Sequence, residues 1–316
     1  MALDLDFKHD HIRTLIVGHE DNHIETLSKH LNDTGFCKSN VLVAKTYEDA
    51  MACAVKEKIH VALIDYDLMP RTGFELMEEL ERMGNPVPVI MTAEIKDTNI
   101  DKGAMSRGAY GYLVKSEIDP ELLERTIRYT VIRRKLEDKL VHAALFDELS
   151  KLPNRRAFFD RLTQALHRAD RRKQEVCLIY IDLNGFKSVN DTYGHQAGDE
   201  IIREVGRRLK QCLRRTDTAA RIGGDEFACI LEDFSDRDAA IHVINKVART
   251  FDKKILFEGH RHDVGVSLGV SVYPESTRSI EVMIQLADEA MYQAKIKSRR
   301  AGQSETVFAS PDEKAA

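Results

Sequence analysis

The chain has 316 residues, of which 43% are hydrophobic and 31% charged, with a formal net charge of −5. That length accommodates two domains with separate cores, and the balance is that of a soluble globular protein. Its basic runs are short and embedded in mixed-charge segments, which excludes a broad nucleic-acid-binding face, and no stretch approaches the roughly 18 apolar residues of a membrane span.

Residues 1–11 read as an N-terminal extension. From residue 12, short apolar strands (TLIV at 14–17, VLVA at 41–44, VALI at 61–64, VPVIM at 87–91, YGYLV at 110–114) alternate with helical stretches such as EDAMACAVKEK and GFELMEELERM. The alternation predicts five βα units, a doubly wound parallel sheet covered on both faces. In such sheets the chemistry collects beyond the C-terminal strand ends, here Gly18-His19-Glu20-Asp21, Asp65, Thr92 and Lys115. A carboxylate, a hydroxyl and a lysine converging there suit reversible phosphorylation. Asp65 would attack phosphorus, Lys115 would neutralise the acyl phosphate, and Thr92 would sense it through a hydrogen bond.

The stretches LIDYDLMPRTG, MTAE and GAYGYLVK carry a resemblance: residues 12–130 are similar to a response-regulator receiver domain. Gly73 keeps the usual spacing of eight from Asp65. The resemblance implies phosphorylation of Asp65, a histidine kinase as partner, and a Mg²⁺ ion in the pocket. The family's metal-holding acidic pair falls on Gly18 and His19, so hard oxygen ligands would have to come from Glu20 or Asp21 instead. The family's proline after the lysine is Ser116. A receiver kept purely as a dimerisation module is the competing reading.

Residues 119–149 contain no glycine, and Pro120 sits where a first helical turn accepts it. Leu122, Tyr129, Ile132, Leu136, Leu140 and Ala143 recur at threes and fours, close to a heptad stripe. We expect the last receiver helix to continue through a connector at 131–146 and to pack against a copy of itself. A monomeric signalling helix that displaces the downstream domain is the alternative, since Arg125 and Lys139 interrupt the stripe.

VCLIYI at 176–181 predicts a buried strand with Asp182 at its exit, and Asn184-Gly185 turns the chain into a helix near Phe186. Backbone N–H groups at such a turn receive phosphate. A second helix follows Gly198-Asp199, and RIGGDEFACI at 221–230 reads as strand, glycine turn and returning strand. DVGVSLGVSVY at 263–273 is a further strand, and residues 279–300 form an amphipathic helix ending in positive charge. The pattern predicts one sheet containing antiparallel strands, with helices on one side. Asp182 and Asp225 would share a site at the strand exit and the turn, with the Leu183 carbonyl beside them. Two such carboxylates repel unless a divalent cation sits between them. A Cβ at 223 or 224 would crowd an entering phosphate, and Lys295 and Arg299, four apart on one helix face, suit terminal phosphates. Together these residues read as a Mg²⁺-dependent nucleotidyl-transfer site.

The stretches DELSKLPNRRAF, DLNGFKSVNDTYGHQAGDE, RIGGDEF, VSLGV and ADEAMYQAKIKSRR make residues 147–302 closely similar to a GGDEF-type diguanylate cyclase domain. The resemblance implies an α+β, ferredoxin-like cyclase core that condenses two GTP into cyclic di-GMP, one GTP per subunit of a homodimer, with two Mg²⁺ or Mn²⁺ ions per site. By motif position Asp182, Leu183 and Asp225 are the metal contacts, and Glu226 is a second signature acid. Asn190 and Asp199 are the guanine-recognition pair, while Phe186 (through its amide), Lys187, Lys295 and Arg299 contact phosphate. Asn184 stands for a common acid, Ser298 for a usual glycine, and Ser150-Lys151 for a frequent Thr-Gly. Arg214 and Asp217, with five residues between Asp217 and Gly223, match the family's RxxD product-inhibition site for cyclic di-GMP.

A catalytically weak domain that binds GTP or cyclic di-GMP and docks partners is the alternative function, but both metal acids and the signature residues are intact. No Cys/His cluster points to zinc. Cys37, Cys53, Cys177, Cys212 and Cys229 are odd in number and scattered, which reads as reduced thiols. With no signal-like N-terminal segment, the expected location is cytoplasmic, away from membranes. The polar residues 303–316 read as a flexible tail.

Overall fold

The computed structural model describes residues 12–33, 40–83, 87–234, 236–301 and 303–309. The expected extension at 1–11, Cys37 and residues 310–316 of the expected tail lie outside them. The chain divides into two compact units, Met1–Lys139 and Leu140–Ala316.

The first unit alternates β1 (Thr14–Val17), α1 (Asp21–Asp33), β2 (Val41–Ala44), α2 (Tyr47–Lys56) and β3 (Val61–Asp65). A minimal hairpin, β4 (Asp67–Leu68) and β5 (Arg71–Thr72), leads into α3 (Gly73–Arg82), β6 (Val89–Ala93), α4 (Thr98–Ser106), β7 (Gly111–Val114) and α5 (Pro120–Leu145). The strands pair in parallel in the order β2-β1-β3-β6-β7. Alternate residues of the buried strands serve opposite faces. Ile16, Leu63 and Ile90 pack with Leu27 and Leu31 of α1 and with Leu123 and Ile127 of α5. Leu15, Ile64 and Met91 pack with Ala50, Leu76, Leu80 and Ala104 on the other face. That is the double cover the apolar runs require. A capping box between Thr72 and Glu75 starts α3.

Helix α5 buries Leu123, Ile127, Thr130 and Val131. Further along, Tyr129, Leu136, Leu140 and Val141 are exposed. Among the described residues no helix is long and apolar enough to cross a membrane.

The second unit contains α6 (Arg155–Arg172), β8 (Val176–Asn184), α7 (Phe186–Tyr193), α8 (His195–Cys212), β9 (Thr218–Gly223) and β10 (Glu226–Leu231). Then come α9 (Arg237–Thr250), the small hairpin β11 (Ile255–Phe257) and β12 (His260–His262), β13 (Gly265–Tyr273), α10 (Ile280–Ala301) and β14 (Glu305–Phe308). The sheet order is β14-β13-β8-β10-β9, with β8 antiparallel to both β10 and β13.

Two expectations are corrected here. Helices cover both faces of this sheet, not one. Cys177, Ile179 and Ile181 of β8 pack with Ile201, Val205 and Leu209 of α8 and Ile244 of α9. Leu178 and Tyr180 pack with Phe158 and Leu162 of α6 and Met283 and Ala287 of α10. The unbroken apolar run VCLIYI is the reason, because a strand apolar at every position must be covered twice. Nor are residues 305–308 a free tail: ETVF pairs in parallel with Ser267–Val270 of β13 and closes that edge of the sheet. The four described cysteines are free thiols, and Cys177, Cys212 and Cys229 are buried.

Candidate active site

The exit of β8 and the β9–β10 turn form the centre of the second unit. Gly224 and Asp225 make the two-residue connection, and Gly224 holds φ at 49°, which a side-chain-bearing residue adopts only with strain. A Cβ built on Gly223 meets nothing within 4 Å. The chain itself therefore leaves that side of the turn open. Antiparallel register sets Glu226 opposite Asp182, and the Leu183 N–H donates to the Asp225 carbonyl at 3.3 Å.

Asp182 is 4% exposed. Its Oδ2 accepts a hydrogen bond from Lys295 Nζ at 2.7 Å, while its Oδ1 is buried without a partner. Burial pushes this carboxyl above the usual aspartate range, and Asp225 adds repulsion. Lys295 and Arg299 pull it partly back. A buried carboxylate oxygen with no donor costs free energy until something satisfies it. Two aspartates and an adjacent backbone offer hard oxygen donors, so the residues fit a small divalent cation. Among the described residues no three metal-ligating side chains cluster. The remaining positions would fall to phosphate oxygens and water, as is usual for Mg²⁺.

The phosphate side is equally local. Gly185, at φ 77°, is the N-cap of α7 and supplies no capping side chain, leaving the first amides of α7, Phe186 among them, for another acceptor. Lys187 is exposed on that first turn. Asn184, Gly185, Lys295, Ser298 and Arg299 line one cleft of about 610 Å³. Asn190 keeps its Oδ1 buried and unpartnered, and it rests against Gly198, where any Cβ would stand 1.9 Å from that oxygen. Gly198 is thus required by close approach, and it brings Asn190 beside residue 199. Asp199 itself is half exposed, 4.0 Å from Arg203. Burial raises the Glu226 carboxyl, helped by Asp288, Asp182 and Asp225.

One positioning pair escaped the sequence reading. Arg221 donates from Nε and Nη2 to the Gly224 carbonyl at 3.0 and 2.8 Å, and its Nη1 meets both oxygens of Asp147 at 3.0 Å. Burial works to raise the Asp147 carboxyl, but the Ser150 N–H and hydroxyl together with Arg221 hold it below its usual range. The glycine turn is therefore clamped to the segment that follows α5. Both residues sit inside motif stretches, which was the available signal.

Arg214, Arg215 and Asp217 line a separate cleft of about 440 Å³ with Arg161, Lys210 and Phe146. Asp217 caps its own turn, accepting the Arg214 N–H at 2.9 Å and the Glu232 N–H at 3.4 Å.

In the first unit, Asp65 ends β3 and stands beside Thr92 in register, both 1% exposed. Lys115 Nζ lies 2.7 Å from Asp65, 2.8 Å from Glu94 and 3.2 Å from Glu20. The second oxygen of Asp65 accepts the Asp67 N–H at 3.3 Å. Burial raises the Asp65 carboxyl, and Lys115 opposes that rise. Burial alone would lower the Lys115 ammonium, yet its bonds to Asp65, Glu94 and Glu20 raise it. Asp21 pairs instead with Lys45 at 2.5 Å. At the position of the missing acid, His19 donates its Nδ1–H to the Asp67 carbonyl at 2.9 Å. These residues do not fit a divalent cation well: the carboxylates that face the pocket already share an ammonium.

Comparison with known proteins assigns both domains to families. The diguanylate cyclase GGDEF-domain family matches residues 144–301, half of the chain, and the response regulator receiver domain matches residues 14–128. The chain belongs to the GGDEF family and carries a receiver domain ahead of its GGDEF domain. It is 36% identical over 187 residues to the bifunctional diguanylate cyclase/cyclic di-GMP phosphodiesterase MucR of Pseudomonas aeruginosa, covering 59% of this chain and 27% of that protein. It is 35% identical over 183 residues to diguanylate cyclase DgcS of Shewanella oneidensis, covering 58% of each. The chain thus spans less than two thirds of the length of these relatives. The coiled coil and GGDEF domain of DgcB from Caulobacter crescentus, solved in complex with c-di-GMP, superposes with a TM-score of 0.50 at 28% identity, covering 60% of this chain and 97% of that one.

Proposed function

We propose that this chain is a diguanylate cyclase acting in cyclic di-GMP signalling, condensing two GTP into cyclic di-GMP with release of two pyrophosphates. The observation that carries the reading is the unpartnered, buried Oδ1 of Asp182 beside the Asp225 turn, its other oxygen held by Lys295, which with Arg299 lines the neighbouring cleft. In each of two equivalent steps the 3′-oxygen of one GTP bonds to the α-phosphorus of the other, the bond to the β-phosphate bridge breaks, and the 3′-proton is released. Asp182, the Leu183 carbonyl and Asp225 would hold Mg²⁺ or Mn²⁺. When bound, such an ion supplies charge neutralisation at phosphorus and acidity at the attacking hydroxyl. The α7 amides with Lys187, Lys295 and Arg299 orient the triphosphate. Asn190 and Asp199 select guanine, because a site built for its N–H groups is left with unpaired acceptors by adenine.

Each domain holds one GTP, so two must face each other, and proximity is the controlled variable. The exposed Tyr129, Leu136 and Leu140 of α5 favour a homodimer as the arrangement that achieves it. The cleft around Arg214 takes cyclic di-GMP as a feedback inhibitor, its guanidinium suited to a guanine edge or phosphate. The test is chromatography of GTP incubated with Mg²⁺ and the purified protein. Cyclic di-GMP, absent from the Asp225→Ala reaction, is the expected product. Tight GTP binding with no product would assign the chain to nucleotide-dependent docking instead.

A further inference from the structure

Asn184 and Ser298 are the two cleft positions where the sequence departs from the family's usual acid and glycine, and they meet in one hydrogen bond. Asn184 Nδ2 donates to Ser298 Oγ at 2.8 Å across 114 residues of sequence. The Ser298 hydroxyl in turn donates to the Gln303 carbonyl at 2.6 Å. On the other side, Ser267 Oγ donates to Asn184 Oδ1 at 2.9 Å. Every proton in the relay has one direction, so the Asn184 amide has one orientation. Ser267 is fully buried and Ser298 is 6% exposed, while Asn184 is half-buried where it reaches the cleft.

What the relay joins is informative. Asn184 is the last residue of β8, two beyond Asp182 and immediately before Gly185, the N-cap of α7. Ser298 lies on α10 between Lys295 and Arg299. We propose that Asn184 and Ser298 are positioning residues that fix the distance between the two phosphate-binding surfaces of the cleft, the α7 amides and the α10 cations. The neutral amide also matters. Asp252 and Asp263 already line this cleft, and a carboxylate at 184 would add a further negative charge among groups that must receive phosphate.

The inference rests on the cyclase reading, and its test separates the two. Binding of a slowly reacting GTP analogue and of GMP would be measured by calorimetry for the parent protein, Ser298→Ala, Asn184→Ala and Asn184→Asp. Losing one partly buried hydrogen bond that aligns two charged groups weakens triphosphate binding about fivefold to tenfold. GMP, which lacks the terminal phosphates, should bind each variant within about twofold of the parent, since the remaining contacts are untouched. Asn184→Asp keeps hydrogen-bonding oxygens but adds charge, so its loss for the triphosphate should be at least as large and should shrink at high salt. In turnover, Ser298→Ala should raise KM with kcat little changed. Equal triphosphate affinity in Ser298→Ala and the parent would overturn the inference and leave the cyclase reading intact. Equal losses for GMP and triphosphate would overturn it too, as a merely structural defect. Failure of the parent protein to bind guanine nucleotides would instead remove the reading beneath it.

Discussion

Both halves of the chain place an aspartate at the exit of a buried strand with a lysine 2.7 Å away, yet the two pairs are built to different ends. Lys115 is 6% exposed and is shared with Glu20 and Glu94, and the other oxygen of Asp65 takes a backbone N–H. In that pocket one ammonium is already shared among three carboxylates. Lys295 is 29% exposed and among the described residues pairs with Asp182 alone, whose second oxygen stays buried and unpaired beside another carboxylate. The lesson is that an Asp–Lys pair does not define a reactive site. Each aspartate keeps one buried oxygen without a hydrogen-bond partner, but that of Asp65 lies 2.7 Å from the Lys115 ammonium, whereas that of Asp182 is not the oxygen that meets Lys295 and is left for a bound cation.

The largest effect that tests this contrast is on stability. Lys115→Met leaves Asp65 buried among acids without its cation, and should destabilise the receiver domain by about 3–5 kcal/mol in denaturant unfolding. Lys295→Met, at a more exposed and open site, should cost well under half of that while abolishing productive GTP binding. Equal stability losses would erase the distinction between the pockets.

Next comes the clamp on the glycine turn. Arg221→Ala removes two donors from the Gly224 carbonyl and the partner of Asp147, and should lower turnover by at least about tenfold, the scale of charge-assisted bonds. Normal turnover would mean that the turn needs no support from this arginine. Arg214→Ala should shift the cyclic di-GMP inhibition curve by about tenfold, equivalent to one guanidinium contact, with the initial rate near normal. Superimposable curves would reduce RRTD at 214–217 to surface charge.

The smallest expected effect is on pH dependence. The Asp147 carboxyl is held below its ordinary value in the fold, so its contribution is present above the unfolded-state value and is lost as pH falls through the folded one. Acid titration of unfolding should therefore be shallower in Asp147→Asn over that window. Identical acid limbs would show that the Asp147–Arg221 pair is not coupled to folding.

Much of this was legible in the sequence because it is local. Apolar runs located the strands, and their exits located Asp65, Asp182 and the 223–226 turn. The run VCLIYI marked a buried strand, but the expectation put helices on one side of its sheet only, since periodicity alone does not say from where a second layer of helices comes. ETVF at 305–308 is too short and too near polar residues to declare itself as a strand until β13 offers it an edge. The clamp between Arg221 and Asp147 and the bond between Asn184 and Ser298 span 74 and 114 residues. Such pairings exist only once the sheet has set its neighbours, so no spacing in the chain announces them. In the receiver pocket, Glu20 could be named as a substitute ligand, but its engagement with Lys115 is a property of the folded loop.

The contrast between the two aspartates is tested most directly by one paired measurement: Mg²⁺-dependent GTP turnover of Asp182→Asn and Asp65→Asn, each against the unphosphorylated parent. Asp182→Asn should lose at least about 100-fold, the scale of removing a group that organises transition-state charge, while Asp65→Asn stays within about twofold. Near-normal turnover in Asp182→Asn would contradict the assignment of the β8 exit as the catalytic centre.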